Sequence, residues 1–208
     1  MFGDGALTFR EFAMREPLPL ATIHDAVLEF LRGRDDAALY GAQAVNAYVD
    51  EPRMTQDVDI VSTRAAELAE EIRAFLHDRF HIAVRTHSVR EGIGFRVYQM
   101  RKPENRHLVD VRPVSTLPPT QRVDQVLVIA PPELVANKVT AWTLRRRRPK
   151  AGTDWRDLAH LLLKFPDLKT NPGPVRERLE AAAAGPEVLA AWQELVLQEI
   201  LPEEEDEF

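Results

Sequence analysis

The segment Leu39-Tyr40-Gly41-Ala42-Gln43, with the acidic stretch that follows it, limits the fold more than any other part of the chain. Ala37 to Tyr40 reads as a short strand, Gly41 breaks it, and Ala42 to Tyr48 reads as a helix that starts at once. Pro52 closes that unit. Asp57 to Val61 then alternates acidic with apolar residues, as a strand with one buried face does. Strand, glycine, helix and strand in such a short span require a sheet with helices packed against it.

The flanking segments extend the same pattern. Leu20 to Arg32 suits an amphipathic helix stopped by Gly33, and Thr63 can cap a helix running to about Arg79 with Leu68, Ile72, Phe75 and Leu76 inward. Period-two segments follow near His81–Thr86, Gly94–Met100, Leu108–Pro113 and Val126–Ile129, adding antiparallel strands. After Pro131-Pro132 the chain reads as helices: Glu133–Arg147, Thr153–Lys164, Val175–Ala184 and Pro186 to about Ile200. We therefore expect an α/β (α+β) mixed sheet with flanking helices over 20–130, a helical region over 131–201, a lead-in over 1–19 and an acidic tail over 202–208.

Composition removes several chemistries. The absence of cysteine excludes disulfides, thiolate zinc sites and cysteine nucleophiles. No apolar run approaches the roughly 18 residues that cross a bilayer, and Met1-Phe2-Gly3-Asp4-Gly5 lacks the order of a signal peptide, so a cytoplasmic protein without membrane contact is expected. The formal charge of −6 falls to about −1 once Glu203, Glu204, Glu205, Asp206 and Glu207 are set aside. His77 and His81 straddle a helix end and lack the glutamate of the zincin pattern. The tryptophans Trp142, Trp155 and Trp192 at helical positions suit packing between helices.

Asp57 and Asp59 would project from one face of their strand while Val58 and Ile60 project from the other. Adjacent like charges repel, so the pair needs either open solvent at a sheet edge or a cation between them. Magnesium suits such a pair, because it takes one or two carboxylates and completes its shell with water and phosphate oxygens. Gly41 between strand and helix lets backbone N–H groups approach a phosphate, with the helix N-terminus adding partial positive charge.

Gly41 followed by Arg53, Thr55, Asp57 and Asp59 as Arg-x-Thr-x-Asp-x-Asp resembles the polymerase-beta-type nucleotidyltransferase superfamily, and most nearly its minimal, AbiEii-like toxins of toxin–antitoxin pairs. Ala42 departs from that pattern, where Ser or Gly is usual, so backbone donors to phosphate survive but a hydroxyl contact is lost. The resemblance implies a third carboxylate on a neighbouring strand, for which Asp110 in His107-Leu108-Val109-Asp110-Val111-Arg112-Pro113 qualifies, either completing the metal site or orienting the acceptor hydroxyl. Without the resemblance Asp110 reads as an exposed residue on an edge strand, and Asp124, nearer a turn, is a weaker substitute for it. Leu134 to Trp142 with Lys138, then Thr153-Asp154-Trp155-Arg156-Asp157-Leu158, resembles the family's lysine helix and its Asp-x-x-Asp-Leu helix. Lys138 lies on an apolar face, so its ammonium needs a phosphate or carboxylate partner. The resemblance gives it the triphosphate and puts Asp154 near the acceptor, although an acid in a first helical turn also stabilises the helix dipole.

What the resemblance implies is an enzyme moving a nucleoside monophosphate from a nucleoside triphosphate to an acceptor hydroxyl. Two magnesium ions on Asp57, Asp59 and Asp110 would assist, with Gly41, Ala42, Arg53, Thr55 and Lys138 around the nucleotide and Asp154 among the catalytic carboxylates. The run Arg145-Arg146-Arg147-Arg148-Pro149-Lys150 can meet an RNA backbone or simply solvate a helix C-terminus. Read with the toxin-like motif, it favours tRNA as acceptor over a protein or an aminoglycoside-like small molecule, and an antitoxin as partner. The competing class is a binding module that keeps the fold without turnover; the three carboxylates argue against it.

Overall fold

A computed structural model of the protein describes residues 18–89 and 92–202, so most of the lead-in and the acidic tail lie outside the described residues. Its elements are α1 (Leu20–Leu31), β1 (Ala37–Tyr40), α2 (Gly41–Asn46), β2 (Val58–Ser62), α3 (Ala65–Phe80), β3 (Val84–Val89), β4 (Gly94–Gln99), β5 (Arg106–Pro113), β6 (Thr120–Val123) and β7 (Val126–Ile129). After them come α4 (Pro131–Leu144), α5 (Lys150–Lys164), a 3₁₀ turn (Pro166–Leu168), α6 (Pro174–Ala181) and α7 (Pro186–Leu197). The strands form one mixed sheet in the order β3-β4-β5-β2-β1-β7-β6. The expected α/β sheet with flanking helices is present.

The strand β2 pairs antiparallel with β1 and parallel with β5, and β1 pairs parallel with β7. Val58 and Ile60 are fully buried together with Val109, Val111 and Val97 of the neighbouring strands, and α1 and α3 pack over these strands. The register sets Tyr40 opposite Asp59, Asp59 opposite Asp110, and Asp110 opposite Arg96. Paired residues share a face, so one row of polar side chains crosses four strands on the side away from that core.

Several expectations change. Asp57 lies just before β2 rather than within it. The first turn of α3 is not capped by Thr63: Arg64 holds the N-cap position, and Ser62 Oγ accepts the Arg64 N–H at 3.0 Å while donating to the Asp36 carbonyl at 2.7 Å. The strand β6 was not anticipated. The edge-strand reading of Asp110 is overturned, because β5 is flanked on both sides by β4 and β2. The helix-dipole reading of Asp154 falls too: α5 starts at Lys150, right after Pro149, which leaves no acid in its first turn and buries Asp154. Trp192 is fully buried, and Trp142 packs on Trp155 with ring centroids 5.4 Å apart, as expected of helix-packing residues. Among the described residues no helix is long and apolar enough to cross a membrane.

Candidate active site

Gly41 ends β1 with φ of +69°, a conformation that L side chains rarely adopt, and α2 starts there. The position also excludes a side chain by contact: a β-carbon on Gly41 would overlap Asp59 Oδ2 and come within 2.8 Å of its Cγ. Glycine is thus demanded by the turn and by the carboxylate behind it. Because α2 has only six residues, positive potential here comes chiefly from side chains.

Those side chains line a cleft of about 100 Å³. Tyr40, Gly41, Ala42 and Asp59 form its sheet side together with Arg112; Asn137 and Lys138 come from α4, Arg145 from its end, and Lys150 and Asp154 from α5. Burial, then the charges of Asp57 and Asp110, push the Asp59 carboxyl up to about 6, against the pull of Arg112 and Lys138. Arg112 stacks on the Tyr40 ring with its guanidinium carbon 5.1 Å from the centroid. No carboxylate pairs with it among the described residues.

Beside Asp59 lies a second group. Asp57, His107 and Asp110 each offer a ligand atom, all within 4.8 Å of one another. His107 Nδ1 is 3.2 Å from Asp57 Oδ2, and its Nε2 is 3.0 Å from Asp110 Oδ1. Arg96 grips Asp110 through Nε and Nη2 at 3.0 and 3.2 Å. Burial would raise the Asp110 carboxyl, but hydrogen bonds from His107 and Arg96 outweigh it and hold the group at about 2. Oxygen-rich donors within one ion's reach, beside a carboxyl already strained by its neighbours' charge, fit a divalent cation.

The remaining expected residues are placed as follows. Lys138 is buried and donates to Asp157 Oδ2 at 2.6 Å, which answers its need for a partner with a carboxylate. Arg53 reaches the same carboxylate, Nε to Oδ1 at 2.6 Å and Nη2 to Oδ2 at 2.9 Å. Burial opposes ionisation of Asp157, but these two cations hold its pKa below the usual carboxylate value. Thr55 Oγ1 donates to the Asp57 carbonyl at 2.8 Å, shaping the turn into β2. Arg53 and Thr55 line a neighbouring hollow with His24 and Gln43 rather than the cleft itself. Asp154 is gripped by Arg145 at 3.0 Å, which removes Arg145 from the exposed basic run. Arg146 lies over the Trp142 ring at 4.5 Å. Asp124 sits in the β6–β7 turn, at the far edge of the sheet from β5.

Two site residues escaped the reading of the sequence. In a regular strand His107 and Asp110 would face opposite ways, but the β4–β5 register slips between Val97 and Tyr98, so that Val97 opposes Val109 and Tyr98 opposes His107. Leu108 is the extra residue; it and Val109 are both fully buried, and the bulge turns His107 to the side of Asp110. The signal was the doublet Leu108-Val109 in an otherwise alternating strand. Arg112 lies two residues beyond Asp110 and so shares its face, a relation that period two alone supplies.

The profile of the family described as nucleotidyl transferase AbiEii toxin, type IV toxin–antitoxin system, matches residues 25–206. No curated protein sequence matches the chain. Among solved structures, the polyadenylate synthase of Megavirus superposes with a TM-score of 0.57 at 13% identity over 71% of this chain and 32% of its own. The chain therefore spans about a third of that enzyme's length. JHP933 from Helicobacter pylori superposes with a TM-score of 0.50 at 11% identity, covering 92% of this chain and 94% of its own. At such identities these two likenesses speak for the fold alone.

Proposed function

The chain belongs to the AbiEii nucleotidyl transferase toxin family of type IV toxin–antitoxin systems, and from that premise we propose that it transfers a nucleoside monophosphate from a nucleoside triphosphate to a hydroxyl of RNA, tRNA in particular. The observation that supports this most is the row in which Asp59 stands between Tyr40 and Asp110 and fills the space a side chain on Gly41 would need.

In this reading the backbone at Gly41 and Ala42 lies along the phosphates, and Lys138 and Arg112 draw the triphosphate into the cleft. Asp57, Asp59 and Asp110 hold magnesium, which supplies charge neutralisation at the phosphate oxygens. Asp110, kept ionised by His107 and Arg96, orients the acceptor hydroxyl, and Asp154, fixed by Arg145, borders the acceptor's approach. The acceptor oxygen attacks the α-phosphorus, its proton passes to a carboxylate or to water, the bond to the β-phosphate oxygen breaks, and pyrophosphate leaves. Arg53 and Thr55 act on this site through the shape of the loop that delivers Asp57.

Support for RNA comes from Lys150, which lines the cleft, and from Arg147 and Arg148, exposed in the short connection between α4 and α5; none of the three has a carboxylate partner among the described residues. An antitoxin partner fits the family's description. The test is transfer of label from each α-labelled nucleoside triphosphate to purified tRNA with magnesium. Labelling is expected, reduced at least about 10²-fold by Asp57→Asn or Asp59→Asn and lost steeply with added salt. No labelling with any nucleotide, or full labelling by Asp59→Asn, defeats the proposal. Labelling of a protein or an aminoglycoside instead replaces only the acceptor.

A further inference from the structure

His107 has so far served only to steady Asp110, yet its imidazole stands between two carboxylates, Asp110 inside β5 and Asp57 just before β2. The strand β5 delivers it there through a bulge rather than by ordinary alternation, at the expense of a regular ladder. Bulges re-aim side chains, and this one aims a nitrogen base at Asp57 and Asp110, with ring nitrogens 3.2 and 3.0 Å from their oxygens. The ring is 26% exposed, so an ion can reach it from solvent.

We propose that His107 is a nitrogen ligand of the divalent ion held at Asp57 and Asp110, and that this donor set prefers a transition-metal dication such as manganese over magnesium. The inference rests on the metal-dependent reading above and deepens it. Magnesium holds to oxygen donors and sheds water reluctantly, whereas imidazole nitrogen suits first-row transition dications. One ring nitrogen binding the ion leaves the other to hydrogen-bond the remaining carboxylate, the arrangement that orients metal-bound histidines generally. Arg96 supports it from outside by fixing both oxygens of Asp110.

The test uses the full chain with manganese alone, without nucleotide, and reads binding rather than turnover. Titration followed by electron paramagnetic resonance gives the affinity, and pulsed measurements show whether a ¹⁴N nucleus is bonded to the ion. Wild type should show the ¹⁴N signal. His107→Ala and His107→Gln should lose it and bind manganese about tenfold or more weakly, while magnesium affinity, from competition, changes less than about threefold. Matching thermal melts of His107→Gln and wild type keep a folding defect from mimicking the result. A wild-type ion with oxygen ligands only, or unchanged manganese affinity in both variants, overturns the role of His107 and leaves Asp57 and Asp110 as its ligands. Absence of any binding by wild type overturns the metal-dependent reading as well.

Discussion

Arg53 Nε lies 2.6 Å from Asp157 Oδ1, joining the loop before β2 to the middle of α5 across 104 residues of sequence. Lys138 shares the carboxylate, so one buried anion, 1% exposed, is the common partner of two cations. Removing it strands a buried ammonium. Asp157→Asn should cost about 3–5 kcal/mol in denaturant unfolding. The double variant Asp157→Leu with Lys138→Met, which takes away both buried charges, should recover most of that loss. A single-variant loss under about 1 kcal/mol would show the triad to be marginal.

Gly41→Ala and Gly33→Ala form a matched pair. Both residues have positive φ, +69° and +75°, so each variant meets the left-handed penalty of about 1–2 kcal/mol. Only at Gly41 does the added carbon strike Asp59; at Gly33 it meets nothing within 4 Å. Gly33→Ala should keep transfer activity at a modestly lower melting temperature. Gly41→Ala should lose more stability and nearly all transfer, and equal behaviour of the two would refute the contact.

Asp59 gives a stability signature in pH. Its carboxyl, raised from an ordinary value of 3.8 to about 6, keeps its proton to higher pH in the folded protein than in the unfolded chain. The stability that protonation confers is full below about pH 4 and is lost as pH rises through about 6. In metal-free protein Asp59→Asn, a mimic of the protonated form, should therefore gain on the order of 2 kcal/mol over wild type at pH 7.5 and much less at pH 4. Melting curves at the two pH values measure this, and a gain independent of pH would contradict the raised carboxyl.

Arg112→Gln should leave stability within about 0.5 kcal/mol, since the side chain is exposed. It should weaken triphosphate affinity about tenfold, the worth of a charge-assisted phosphate contact. Titration with a fluorescent nucleotide reads it directly. Tyr40→Leu, which removes the ring under the guanidinium, should weaken affinity in the same direction but less.

The parts of this molecule that local rules govern were legible in the sequence. Val126–Ile129 stands where its apolar run placed it, and Gly41 marks the turn it was expected to mark. What escaped depends on pairing. The turn at Asp124 was legible, and it stands there with positive φ at Asp124 and Gln125; the strand before it was not, because β6 exposes both Gln121 and Arg122 and so shows no apolar alternation. His107 needed a slip in register that only the partner strand reveals. The partner of Lys138 was foreseen as a class, phosphate or carboxylate; that Arg53 would share it required the fold.

The order of the sheet has a consequence for synthesis. Strand β1 gains its second neighbour only when Val128 arrives beside Leu39, and Arg53 waits for Asp157. A chain synthesised only as far as β5 thus carries Asp57, Asp59 and Asp110, every carboxylate of the proposed metal site, but no cleft. Pairings this distant form late, because the intervening chain must first be closed into a loop. The order of synthesis thus separates the proposed catalytic carboxylates from the helices that close over them: the cleft is completed only after the chain has been extended past Asp157, the residue that ties the loop before β2 to α5.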